Sequence, residues 1–503
     1  MSMRGLWARL PFLLILAVYA GLGLLYAVKT PMWQTPDEPA HFNYVAFVAE
    51  HWRLPVLQAG DYPAQYLEDI KAARFPPSMS VEPLRYESHQ PPLYYLCAAI
   101  VYRLTAPLSS ATRLLILRLF SVALGISLLC AAFCVVGEVF PGDASLALHA
   151  TAFIALIPMH LALTAAINND TLAELLLMCI LWQCLAALRS GPEKPLPCRI
   201  GILLGLAMLA KTTIYLPAAG VVMACVLLRA RTRRFPANGV DRQALLRAAG
   251  RDLLPAVLPP IIMSGPWLLR NAVTYGRLDV LAWTRHALVV SGQLRTTQRL
   301  AEVGALRLAR EFLQTTFNSV WAQFGWMGVP ADARMYVVLA LFTGLVVSGA
   351  IVFYLRSRSD PASADLRPHQ AIQLLWLSAL LTVATYVGYN LSFLQPQGRY
   401  LFPALGSLAV AVALGLREIL RPSMARKLTG LALFLSVSLF VSSFLGRSAP
   451  TFGLALAACM SLVFAVAGWM PSRWRWLPSL ALFALFVVLN LVCVFRYIVP
   501  YLS

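Results

Sequence analysis

Charge is scarce in this chain, and acidic charge is scarcest. Only 13% of the 503 residues are Asp, Glu, Lys or Arg, and 22 acids stand against 41 basic residues. A soluble domain carries about 25% charged residues, and a water-facing fold of this length needs far more polar surface. A soluble globular class is therefore excluded. The nine cysteines form no CxxC pair, so neither a zinc site nor a disulfide framework is indicated. Most of them lie inside apolar runs, where cysteine packs as a small apolar residue. G-x-S-x-G, G-x-G-x-x-G and the P-loop are all missing, which removes the nucleophile elbow and two common phosphate cradles. No internal repeat, low-complexity tract or soluble domain is evident.

Long apolar runs are abundant: 59% of the residues are hydrophobic. A span needs roughly 20 apolar residues, and runs near 10–28, 114–136, 146–166, 171–188, 253–271, 335–355, 371–392, 400–416, 428–445, 451–470 and 477–498 qualify. The stretch 200–228 divides at Lys211 into two short spans. This predicts an all-α polytopic membrane protein with about thirteen transmembrane helices. Arg4 and Arg9 precede the first run, which is too long for a signal-peptide core and reads as a retained span. The net charge of +19 suggests nucleic acid at first glance. The basic residues instead collect between spans, as the positive-inside rule expects, and no basic face with interleaved aromatics occurs.

The segment 92–104 opens with Pro91-Pro92, contains Arg103 and is too short to cross. Taken as an interfacial helix, it leaves Arg189, Lys194, Arg199 and the arginines of 229–251 inside, including Arg229. Asn168-Asn169-Asp170 then falls outside with Asp37, and Lys211 sits at an outer turn. The rival topology puts Lys211 in mid-bilayer, at about 2.5–3.5 kcal/mol on insertion scales. Residues 1–420, with outer loops 29–113 and 272–333, form the expected core, followed by C-terminal helices over 421–503.

Eight of the 22 acids lie in residues 29–91, which include Pro36-Asp37-Glu38-Pro39-Ala40-His41. The outer face gathers Asp37, Glu38, Glu87, His89, Asp170, Lys211, Arg270, Arg285, His286 and Arg399. Acids come from the early chain and cations mainly from the later chain. Such a set suits displacement at a sugar carbon: a carboxylate takes the acceptor proton and cations hold the departing phosphate. Plainer readings stand beside each residue. Asp37 and Glu38 could cap a helix, and Asp170 could cap the next span. Lys211 could snorkel, and Tyr400 could anchor an interface. His41 shares a helical face with Asp37 and Glu38; Glu-x-x-His is a dimetal pattern, present in one copy. Residues 40–52 suit an amphipathic helix on the membrane through Phe42, Val45, Ala46, Val48 and Ala49. Trp321, Phe324 and Trp326 are belt aromatics or the wall of an isoprenoid groove.

Six stretches in order carry a family resemblance: Pro36-Asp37-Glu38, Glu87-Ser88-His89-Gln90-Pro91-Pro92-Leu93-Tyr94-Tyr95, Asn169-Asp170, Gly205 to Lys211, Pro266-Trp267-Leu268-Leu269-Arg270-Asn271 and Gln397-Gly398-Arg399-Tyr400. With them the chain resembles the GT-C superfamily of polyprenyl-phosphate-sugar glycosyltransferases, which includes protein O-mannosyltransferases and the aminoarabinose transferase of lipid A. The resemblance implies a GT-C fold with outer-face juxtamembrane helices in the bacterial inner membrane. It implies inverting transfer from a polyprenyl-phosphate donor, such as undecaprenyl phosphate, to a glycan, lipid or protein acceptor. The expected catalytic residues are Asp37 and Glu38. The expected substrate-binding residues are His41, Glu87, His89, Gln90, Asn169, Asp170, Lys211, Arg270, Arg285, Arg399 and Tyr400. Ser88-His89-Gln90 departs from the lipid A enzyme, which has a lysine before the proline. No cofactor is called for, a divalent cation is left open, and nucleic acid is not a partner. A flippase of lipid-linked sugars, or a ligase of preassembled glycan, is the alternative.

Overall fold

The computed structural model describes residues 10–191, 193–232, 242–358, 366–444 and 451–502. Arg4, Arg9 and residues 233–241 lie outside the described residues. The fold is all-α and polytopic, as the hydropathy predicts. Among the described residues, eleven helices are long and apolar enough to cross a membrane. They number twelve if the helices Ala144–Ala155 and Pro158–Thr164, bent by 68°, count as one span. The bend falls where Pro158 removes a backbone N–H and drives Ile157 out of helical geometry. Cys198–Ala210, counted above as a thirteenth span, is a short apolar helix of 13 residues. Strand structure among the described residues is one antiparallel pair of two-residue strands, Gln323–Phe324 with Val329–Pro330.

The chain breaks at Lys211, which is extended (φ −161°, ψ 137°) between Cys198–Ala210 and a 3₁₀ turn at Thr212–Ile214. That break delivers a lysine side chain without a full helical turn around it. The helix Leu93–Leu104, 12 residues long, is too short to span, as expected. It packs on the helix Glu38–His51, with the rings of Tyr44 and Tyr95 stacked at 3.6 Å. The latter helix buries Ala40, His41, Tyr44, Val45, Val48 and Ala49, an i, i+3/i+4 stripe. That stripe meets protein. Of the face expected to lie on the membrane (Phe42, Val45, Ala46, Val48 and Ala49), Val45, Val48 and Ala49 are buried in this stripe and Phe42 packs against the rings of Trp33 and Tyr102.

The two large loops interlock above the bundle. Leu67, Ile70, Phe75, Leu84 and Tyr86 of the first loop form a small core with Val290 of the second. Phe75 stacks on Trp326 at 6.0 Å. Arg229, expected among the charges of an inner loop, is instead buried and paired with Asp252 at 3.0 Å.

Candidate active site

Asp37 immediately precedes the helix Glu38–His51 and adopts a left-handed backbone (φ 65°). This geometry costs a non-glycine residue roughly 1–3 kcal/mol and persists only where the surroundings over-determine it. Its side chain makes no cap hydrogen bond. Instead Oδ1 accepts from Tyr86 Oη at 2.9 Å and Oδ2 from Arg399 Nη2 at 2.5 Å. Burial pushes the Asp37 carboxyl up, but Arg399, His41 and the two hydrogen bonds outweigh it and hold the group below its ordinary value.

Glu38 turns the other way. It is fully buried against Arg118, with Nε–Oε1 at 2.7 Å and Nη2–Oε2 at 2.6 Å, and accepts further bonds from the N–H groups of Trp33 and Ile167. Adjacent residues therefore part company: Asp37 lines a cavity and Glu38 is a strut.

Lys211 Nζ reaches Asp170 Oδ1 at 2.7 Å and Asn169 Oδ1 at 3.0 Å. Asn169 Nδ2 donates in turn to Gln90 Oε1 and Ala210 O. His41 Nδ1 pairs with Tyr95 Oη at 2.8 Å, and burial holds its pKa below the ordinary value. Glu87 sits beside it; burial raises its carboxyl, against the pull of His41. His89 and His286 meet with ring centroids 4.6 Å apart, and burial lowers them to about 4 and about 3. Tyr400 Oη donates to Gln395 Oε1, and Arg399 lies over the Tyr400 ring.

These groups converge on a cavity of about 780 Å³, within the range of small-molecule sites. Asp37, His41, Glu87, His89, Gln90, Lys211, His286, Arg399 and Tyr400 line it, and Tyr62, Trp283, Trp326 and Tyr389 give it aromatic walls. Glu87 Oε2, Gln293 Oε1, Gln397 Oε1 and Arg399 Nε are buried there without a hydrogen-bond partner among the described residues. Asn169 and Asp170 stand behind Lys211. Buried polar atoms of this kind suit a ligand rich in hydroxyl and phosphate oxygens.

Two expected binding residues do not join the set. Arg270 donates to the carbonyl of Pro55 and lies between the rings of Trp267 and Tyr275. Arg285 donates from Nε to the carbonyl of Leu57 at 3.0 Å. Both brace the first large loop. Of the aromatic trio, Trp326 lines the cavity, whereas Trp321 and Phe324 are buried in the core. Tyr86, Gln293 and Tyr389 enter unannounced. Tyr86 adjoins a quoted motif, but its contact with Asp37 bridges 49 residues and no spacing rule reveals it. No group of three or more His, Cys, Asp or Glu among the described residues is placed to hold a metal ion.

The class is thus a polytopic all-α membrane protein with an acid–cation cavity at one end of its bundle. Residues 89–240 match the family described as dolichyl-phosphate-mannose-protein mannosyltransferase. That stretch contains His89, Gln90, Asn169, Asp170 and Lys211. The match bears out the resemblance to GT-C glycosyltransferases that the motifs carry. Solved structures similar to the chain include ArnT from Cupriavidus metallidurans bound to undecaprenyl phosphate, 14% identical, covering 100% of this chain and 77% of that one, TM-score 0.47. The Archaeoglobus fulgidus oligosaccharyltransferase tethered with an acceptor peptide is 13% identical over 95% of this chain and 55% of that one, TM-score 0.45. No curated protein sequence matches.

Proposed function

We propose that the protein is an inverting glycosyltransferase that moves a sugar from a polyprenyl-phosphate donor to an acceptor hydroxyl or amine. The observation that carries the reading is a single cavity lined by Asp37, Lys211 and Arg399. Lys211 and Arg399 bind the donor phosphate, Arg399 through a planar fork suited to it. The isoprenoid tail leaves the cavity beside Tyr215 and Leu216; Leu216 lines the cavity and is half exposed on a spanning helix. Glu87, whose carboxyl is raised by burial, and Gln397 offer hydrogen bonds to sugar hydroxyls.

Asp37 takes the proton from the acceptor. The acceptor attacks the anomeric carbon from the face opposite the phosphate, and the sugar–phosphate C–O bond breaks onto the departing polyprenyl phosphate. The two cations stabilise the charge developing there. One displacement inverts the configuration. In this reading residues 1–420 are the catalytic core, residues 421–503 are accessory spans, and the cavity faces the outside of a bacterial inner membrane. The acceptor is a glycan, lipid or protein.

The test is incubation of the purified protein with a radiolabelled undecaprenyl-phosphate sugar and envelope extract. Transfer of one sugar to an extractable acceptor, with inverted anomeric configuration, is expected. Movement of label across a bilayer without a new covalent bond would support a flippase instead.

A further inference from the structure

Every cation assigned above to the donor phosphate is bonded to an acid. Arg399 Nη2 holds Asp37 Oδ2 at 2.5 Å, and Lys211 Nζ holds Asp170 Oδ1 at 2.7 Å. A carboxylate gripped by a guanidinium is a poor base, because the pair favours the charged form. Yet Asp37 has a second donor on its other oxygen, Tyr86 Oη at 2.9 Å. Arg399, for its part, has a buried Nε–H without a partner among the described residues, and the residue lines the cavity. The guanidinium has a spare donor for an anion there, and a phosphate accepts two of its N–H groups at once.

We infer that Arg399 changes partner during the reaction cycle: a lipid phosphate in the cavity takes it from Asp37, and Asp37 becomes a base only in the loaded enzyme, kept in line by Tyr86. This rests on the donor reading of the preceding subsection. Arg399 then touches substrate, and Tyr86 is a positioning residue. No proton moves on loading. On reaction the acceptor proton passes to Asp37 Oδ2 and the acceptor lone pair forms the new bond to the anomeric carbon, C–O for a hydroxyl or C–N for an amine. The old sugar–phosphate bond leaves its electrons on polyprenyl phosphate. Binding is thereby coupled to base activation, and an acceptor that arrives first meets an inert carboxylate. The titratable groups around Asp37 are Arg399 and Tyr86 in contact, His41 and Glu87 beside it, and Tyr62, Tyr389 and Tyr400 beyond.

The probe is undecaprenyl phosphate added to the full chain in nanodiscs. Infrared difference spectra follow the Asp37 carboxylate through a pH titration, its band identified as the one lost in Asp37→Asn. Bound lipid is counted by phosphate analysis of the same samples. Loading is expected to raise the Asp37 midpoint by about one unit or more, a tenfold gain in proton affinity. In Arg399→Gln the unloaded midpoint is already high and loading moves it less. In Tyr86→Phe the midpoint rises more in the loaded than in the unloaded protein, because Tyr86 is then the remaining donor. Lipid binding with an unmoved midpoint overturns the exchange and leaves the donor reading standing. So does a rise equal in wild type and Arg399→Gln, or a Tyr86→Phe effect equal in both states. Failure of the lipid to bind overturns both.

Discussion

Glu38 and Arg118, 80 residues apart, form a two-pronged pair sealed in the bundle. The same guanidinium collects the carbonyls of Ala27, Thr30 and Pro31, and the same carboxylate accepts from Trp33 and Ile167. This knot joins the end of the first span, the Ser110–Val139 helix and the turn before Asp170. Removing one partner leaves a buried unpaired charge, at about 3–5 kcal/mol. Glu38→Ala should therefore lower thermal stability sharply, and any transfer activity should fall with the folded fraction. A variant that folds normally yet loses transfer would return Glu38 to a chemical role.

Asp37→Asn is nearly isosteric and keeps a carbonyl oxygen for Tyr86 or Arg399. We expect a well-folded protein that still binds undecaprenyl phosphate but transfers sugar about 10²–10⁴-fold more slowly, the usual worth of general acid–base catalysis. Turnover near wild type, measured with labelled donor, would remove Asp37 from the chemistry.

For Lys211, binding and stability can be separated. Lys211→Met should weaken undecaprenyl phosphate binding about 10–100-fold, since a hydrogen bond to a charged group is worth about 1.5–3 kcal/mol. It should also destabilise the fold by stranding Asp170. The double variant Lys211→Met with Asp170→Asn should regain stability but not affinity. If affinity returned as well, Lys211 would be a structural partner of Asp170 and no more.

Gly398 positions its neighbour Arg399 by close approach. A Cβ placed there collides with Val320 N and lies 2.7 Å from Thr316 O, both backbone atoms of the helix Ala305–Trp321. The Gly398 N–H donates to Ser319 Oγ at 2.7 Å. Gly398→Ala must lift the 3₁₀ segment Gly398–Ala404 off that helix and pull Arg399 from Asp37. Transfer should drop by more than tenfold while stability falls by about 1–3 kcal/mol, the cost of overpacking. Circular dichroism melts beside the transfer assay check both.

The facing imidazoles of His89 and His286 give a pH signature. Burial holds them at about 4 and about 3, whereas an unfolded histidine titrates near ~6.5. Between those values the unfolded chain binds more protons than the folded one, so stability rises with pH across that window. It is full above ~6.5 and is lost progressively as pH falls toward about 3. We expect the melting temperature to decline over this range, and to decline less in His286→Gln. An identical slope in that variant would place the acid sensitivity elsewhere.

Much of this was legible because a bilayer acts on sequence locally. Spanning runs announced themselves by length, and Lys211 marked a break because a lysine does not rest in hydrocarbon. The span count differed where local rules are weakest, at the 13-residue Cys198–Ala210 helix and at the Pro158 bend. The motifs likewise named Asp37, Asp170, Lys211 and Arg399 as one set. They named Arg270 with equal force, and placement on the outer face added Arg285, although these two hold backbone carbonyls of the first large loop.

The sequence by itself determined the membrane-spanning, helical nature of the protein and most of its polar candidates. Hydropathy and charge are properties of short segments, enforced by the solvent around each one. Tertiary structure decided which candidates share a cavity and in what pairing. Asp37 and Glu38 are neighbours in every local description, yet one meets Arg399 across 362 residues and the other meets Arg118 across 80. Those choices follow from which distant cation each carboxylate faces once the helices have packed, and that information is not held in any window of the chain.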